Sequence, residues 1–167
     1  RNVPIEDSVG ELSRMVEEGK IKSIGLSEMS ANTLRKAHKI HPIAAMQTEY
    51  SLWTRNPEIA VLEACRELGT TFVAFSPLAR AFLTGKLTDL SVLAANDLRR
   101  NMPRFDVDNY PKNLTLLEEV AEVALEEGCS LAQLALAWVL GRDDNIIAIP
   151  GTTNPDHLKE NFSAQDV

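Results

Sequence analysis

Thr71-Phe72-Val73-Ala74-Phe75-Ser76 is an apolar run, rich in aromatic and β-branched residues, that stops at a hydroxyl and is followed at once by Pro77. Such a run between turn signals reads as a buried strand. Moving outward, the same kind of unit recurs on both sides. Toward the N-terminus, a helix over 57–68, with Pro57 in its first turn and Gly69 past its end, connects this strand to another over 43–47. Before that come a helix over 30–39 capped by Ser30, a strand over 20–27, and a helix over 5–18 whose apolar stripe is Val9, Leu12, Met15 and Val16. Ser8 and Glu11 have the spacing of a capping box near that helix start. Toward the C-terminus, a long polar connection over 77–112 leads to helices over 113–127 and 131–140, a strand over 145–149 and a helical start at Pro155.

Four strand-then-helix units with apolar strands imply an α/β fold, a parallel sheet covered by helices, either doubly wound or part of a barrel. A complete (β/α)8 TIM barrel takes about 250 residues. The 167 residues here therefore match about half of one, the last four βα units. The opening Arg1-Asn2-Val3-Pro4, with no initiator Met, fits a piece of a longer chain. The connection over 77–112 exceeds an ordinary linker, and loops of that size on such a scaffold cover ligands.

Composition narrows the function classes. Hydrophobic residues make up 44% and charged residues 25%, the balance of a chain with a solid core. Lys plus Arg number 17 against 24 Asp plus Glu, a net charge of −7 and a pI near 5.0, which argues against nucleic-acid and acidic-membrane partners. No apolar run approaches the ~18 residues of a membrane span. Cys65 and Cys129 fall in stretches patterned as amphipathic helices, with no CxxC or metal-ligand spacing, and read as free buried thiols. A reducing, cytoplasmic setting with no metal site is the expectation.

In a parallel sheet the residues following each strand gather on one face of the fold, where ligands bind. Here they are Ser27-Glu28, then Gln47-Thr48-Glu49-Tyr50, then Ser76-Pro77-Leu78-Ala79-Arg80, then Pro150-Gly151-Thr152-Thr153. Hydroxyls, an amide, an aromatic ring and a glycine turn before a helix suit a ligand with a carboxamide, a flat ring and phosphates, such as a nicotinamide dinucleotide. The same residue types also cap helices and close turns.

Five stretches carry a resemblance: Gly25-Leu26-Ser27; Gln47-Thr48-Glu49-Tyr50-Ser51-Leu52-Trp53; Phe75-Ser76-Pro77-Leu78; Leu83-Thr84-Gly85-Lys86; and Ile149-Pro150-Gly151-Thr152 continuing to Glu160-Asn161. In order and spacing the chain resembles the aldo-keto reductases over essentially its whole length, and looks like the C-terminal half of that family's barrel. The resemblance implies NADP(H)-dependent reduction of aldehydes or ketones. It assigns Ser27 and Gln47 to the nicotinamide carboxamide, Tyr50 to stacking on the ring, and Ser76, Leu78, Arg80 and Lys86 to the pyrophosphate. Gly151, Thr152 and His157 fall to the adenosine phosphate, and Glu160 and Asn161 to adenine. Relatives that grip the 2′-phosphate carry basic residues where this chain has Gly151, Thr153 and His157, so NAD(H) stays open beside NADP(H). The family's catalytic Asp, Tyr, Lys and His belong to the first half of the barrel, so no catalytic residue is assigned here. The partners implied are a small carbonyl substrate and that missing N-terminal half, without which the chain is expected to be inactive. A non-catalytic cofactor-binding regulatory subunit of the same fold is the alternative. A free-standing doubly wound domain is disfavoured, because no G-x-G-x-x-G turn follows any strand.

Overall fold

The structure, a computed structural model, describes residues 3–167, so Arg1 and Asn2 lie outside the described residues. Helix α1 spans Ile5–Glu17, with Glu6 and Asp7 favourably placed in its first turn. Its cap position is Pro4, and Ser8 sits inside the helix donating to the Pro4 carbonyl at 3.4 Å, so the expected capping box does not form. Beyond Gly19, at φ 73°, the amides of Lys20 and Ile21 return to the Met15 carbonyl. That closing turn uses up the first residues of the expected strand, and β1 covers only Ile24–Ser27. Helix α2, Ala31–Ile40, is capped as expected by Ser30, whose hydroxyl accepts from the Thr33 amide at 3.2 Å. Strand β2 runs Ile43–Glu49, two residues beyond expectation. A 3₁₀ turn at Asn56–Ile59 precedes α3, Val61–Leu68, because Ala60 leaves helical geometry at φ −160°. Strand β3 is Thr71–Phe75.

The four strands are parallel and lie in chain order, with β4, Ile146–Ile149, at one edge and β1 at the other. Register separates the two faces. Ile24, Met46, Phe72, Ala74 and Ile146 point to the helices and are buried with Val9, Leu34 and Ala64 in the main core. Beneath the sheet, buried Thr70 donates its hydroxyl to the Ile43 carbonyl at 2.8 Å. Gly25 and Ser27 align with Ala45 and Gln47, and these with Thr71, Val73 and Ile147, on the opposite face. That face is open: Ile147 and Ile149 are 53% and 43% exposed. Strands apolar on both sides, with only one side covered, are what half of a barrel presents, since the inner face of a closed barrel is filled by its other strands.

The connection after β3 is folded. Short 3₁₀ turns at Phe82–Thr84, Leu90–Val92, Leu98–Asn101 and Pro103–Phe105 lead into α4, Tyr110–Leu114, and α5, Leu116–Glu126. The single helix expected over 113–127 thus begins earlier and breaks at Thr115. Beneath the turns lies a second core of Phe82, Leu83, Leu87, Phe105, Tyr110 and Leu117 packed on Ala135. Helix α6, Leu131–Leu140, opens with a full capping box between Ser130 and Gln133. Helix α7, Pro155–Phe162, is capped by Asn154. Cys65 is buried in α3, and desolvation pushes its thiol up to about 11. Cys129 departs from expectation: it is only half-buried, in the turn after α5.

Candidate functional site

A cavity of about 690 Å³ opens beside the C-terminal ends of β3 and β4, within the usual range for small-molecule sites. Three stretches and Ala132 of α6 wall it, the stretches being Phe75 to Leu87, the turn carrying Asp97, Leu98 and Arg99, and Ile149 to Thr152 with His157, Glu160 and Asn161 of α7.

The first wall is made by unusual backbone. Ser76, Ala79, Arg80 and Ala81 all have positive φ, between 47° and 75°. Side chains there cost about 1 kcal/mol or more each, so the surroundings must hold the loop in place. The Ala79 amide donates to the Ser76 carbonyl at 2.8 Å, and that of Leu83 to Leu78 at 3.2 Å, folding the loop tightly. Gly85 closes it at φ 67°, where an added Cβ would come within 2.6 Å of Leu131 Cδ1. Only glycine satisfies both conditions.

Charge concentrates on the cavity walls. Arg80 Nε is buried without a hydrogen-bond partner, an orphaned cationic donor beside open space. Arg99 grips Asp97 with two bonds, at 2.9 and 2.7 Å, and donates to the Arg80 carbonyl at 3.2 Å. Hydrogen bonding from Arg99 holds the Asp97 carboxyl down to about 2. Lys86 Nζ lies 3.3 Å from Glu160 Oε2, tying the loop to α7. The Glu160 carboxyl is held below its usual range by hydrogen bonding to Ser130 and then by Lys86. Near the start of α7, the Thr152 hydroxyl accepts from the Asn154 amide at 3.1 Å.

The structure brings most of the sequence-read residues to this one cavity: Ser76, Leu78, Arg80, Lys86, Gly151, Thr152, His157, Glu160 and Asn161 all line it. Ser27 and Gln47 are register partners on the open sheet face. Tyr50 is the exception. It is wholly buried on the helix side, edge-on to Phe72 at 5.7 Å and 5.4 Å from Trp138, with its hydroxyl donating to Glu58 Oε1 at 2.8 Å. Burial, helped by Glu58, pushes that hydroxyl up to about 12. A ring packed in this way offers no face to a ligand, and the stacking expectation for Tyr50 is corrected. The aromatic on the cavity wall is Phe75, which strand alternation from buried Phe72 would have found. Asp97 and Arg99 were also missed, because they sit in a turn without periodic pattern.

The aldo/keto reductase family model matches residues 1–167. The chain belongs to this family. Among similar proteins, it is 47% identical to probable aldo-keto reductase 1 of Glycine max over 163 residues, 98% of this chain and 47% of the relative. To aldo-keto reductase str7 of Strobilurus tenacellus it is 44% identical over 167 residues, again 98% of this chain and 50% of the relative. The chain thus spans about half the length of the curated reductases it matches. Among solved structures, a glycerol dehydrogenase from Gluconobacter oxydans superposes with a TM-score of 0.84 at 27% identity, covering 98% of this chain and 54% of the other. An aldo/keto reductase from Klebsiella pneumoniae, solved in complex with NADP and acetate, superposes at 0.73 with 25% identity over 100% of this chain and 50% of the other. The fold of this aldo-keto reductase chain is accordingly half of a TIM barrel.

Proposed function

We propose that the chain is the C-terminal half of an NADP(H)-dependent aldo-keto reductase that reduces aldehydes or ketones to alcohols, and that this half carries most of the dinucleotide site. The observation that carries the reading is the buried, unpartnered Arg80 Nε on the wall of a cavity also lined by Lys86 and Arg99. A buried cationic donor with no acceptor fits a phosphate oxygen. NADP in the Klebsiella reductase, at full coverage of this chain, supports the same ligand.

In this reading Ser27 and Gln47 orient the carboxamide and Phe75 forms the apolar wall beside the ring. Arg80 and Lys86, with the backbone of the 76–85 loop, hold the diphosphate. Gly151, Thr152 and His157 take the adenosine phosphate, beside Glu160 and Asn161. When bound, the nicotinamide supplies a hydride; these residues fix where its ring sits, which is how a binding half contributes to rate. The proton donor and its partners come from the first half of the barrel, which also fills the open face of the sheet. The free thiols Cys65 and Cys129 fit a reducing compartment such as the cytoplasm.

The test pairs the mass of the purified protein with NADPH oxidation on an aromatic aldehyde. A mass near twice 18.4 kDa with turnover supports the reading. An intact barrel that binds NADPH and turns over no carbonyl points instead to a binding-only subunit.

A further inference from the structure

One charged cluster on the open sheet face has no part in the roles above. Glu49 ends β2, two residues beyond Gln47 and in register with Phe75. Its Oε1 accepts from Thr54 Oγ1 at 3.0 Å and from Arg104 Nη1 at 3.1 Å, while its amide donates to Glu28 Oε1 at 3.0 Å. Arg104 arrives from the far end of the connection, and its guanidinium lies 5.1 Å from the centre of the Trp53 ring. The Trp53 ring in turn packs at 3.8 Å on Phe82, in the turn beside the cavity wall. The pair is partly buried, with Glu49 18% and Arg104 31% exposed.

Among the described residues, Arg104 is the one side chain of 88–109 hydrogen-bonded to a residue of the sheet. The other ion pair tying the connection to the rest of the fold, Lys86 to Glu160, lies on the cavity wall itself. A phosphate taking Lys86 competes with Glu160 for that ammonium. The dinucleotide reading places no phosphate against the Glu49 anchor, which lies outside the cavity lining.

We infer that the Glu49–Arg104 pair, stacked on Trp53, is a positioning latch that holds the 77–109 connection over the cavity and slows release of the bound dinucleotide. The inference rests on the dinucleotide reading above. Neither residue touches the ligand in that reading; both act through the wall they fix. A partly buried ion pair stacked on an indole is held more firmly than an exposed one, and removing one partner strands the other.

The test uses the intact barrel and compares Arg104→Ala, Arg104→Lys, Glu49→Gln and the double variant Arg104→Ala/Glu49→Gln. Three quantities are read: the NADPH dissociation rate by stopped-flow fluorescence, protease cleavage within 88–103 without cofactor, and the thermal midpoint. Arg104→Ala is expected to speed both release and cleavage by roughly threefold to tenfold, with the double variant no worse than the single, as for one coupled pair. Arg104→Lys, which keeps the charge and loses the fork, should recover part of the effect and remains informative if the alanine variant folds poorly. Unchanged cleavage and release in Arg104→Ala, or effects of the two single variants that multiply in the double, would overturn the latch. A wild-type barrel that binds no NADPH overturns the dinucleotide reading instead, and the latch is then decided by cleavage alone.

Discussion

The two apolar cores of this molecule are built by different rules. The core between sheet and helices uses Val9, Leu34, Met46 and Phe72 from regular elements, each set by its place in a repeating pattern. The core beneath the connection uses Phe82 and Phe105, delivered by short 3₁₀ turns, and Tyr110, from the first turn of the short helix α4, with Phe105 stacked on Tyr110 at 5.5 Å. Where periodic backbone is absent, side chains tie the backbone together: Tyr110 donates to the Leu87 carbonyl at 2.6 Å and Asn113 to that of Arg104 at 2.8 Å. The first core supports the scaffold and the second supports one cavity wall, so damage to each should be felt in a different place.

The largest expected effect is on the scaffold. Phe72→Ala removes a fully buried ring and should cost about 3–5 kcal/mol of global stability by denaturant unfolding. A cost below 1 kcal/mol would mean that the sheet core is not what holds the fold. Tyr110→Phe leaves the Leu87 carbonyl unpaired in the second core and should cost about 1–2 kcal/mol. That loss should show as faster amide exchange across 82–110 while β2 and β3 stay protected; uniform loss across the molecule would merge the two cores into one cooperative unit.

Tyr50→Phe deletes the bond to Glu58 and should cost about 1 kcal/mol of stability, with NADPH affinity unchanged in a titration. A large fall in affinity would return Tyr50 to the ligand site. The smallest effect comes from pH. Asp97 is held down from 3.8 to about 2, so its stabilisation of the cavity wall is fully present above about pH 4. It is lost as pH falls through about 2, when the carboxyl protonates in the folded state too. Trp53, packed on the same connection, should report an acid transition in that window by fluorescence, and Asp97→Asn should flatten it.

How far each region could be read beforehand follows from the same contrast. The strands were legible because runs such as Thr71 to Phe75 have no other good home, and the polar residues after them were legible because topology gathers strand ends. The capping box placed at Ser8 failed because Pro4 already starts α1, one turn earlier. Tyr50 was misplaced for a subtler reason. It continues the alternation of β2, four positions from buried Met46 and with its amide still bonded to the Phe75 carbonyl at 3.3 Å, so its ring falls on the helix side, where Glu58 and Phe72 hold it. The stacking role came from the resemblance and not from this alternation. Phe75 was legible in principle, three positions from Phe72 and hence on the other face. Arg104, Asp97 and Arg99 were not, since what brings them to the sheet and the cavity is the packing of Phe82, Phe105 and Tyr110, contacts between residues far apart in a segment without period.

The central claim is that a dinucleotide sits between the 76–87 loop and the start of α7. Amide hydrogen exchange of the intact barrel with and without NADPH tests it most directly. The expected result is protection of 76–87 and 151–161 on binding, with the backbone around Tyr50 unchanged. Protection centred on 50–58, or none at either wall of the cavity, would contradict it.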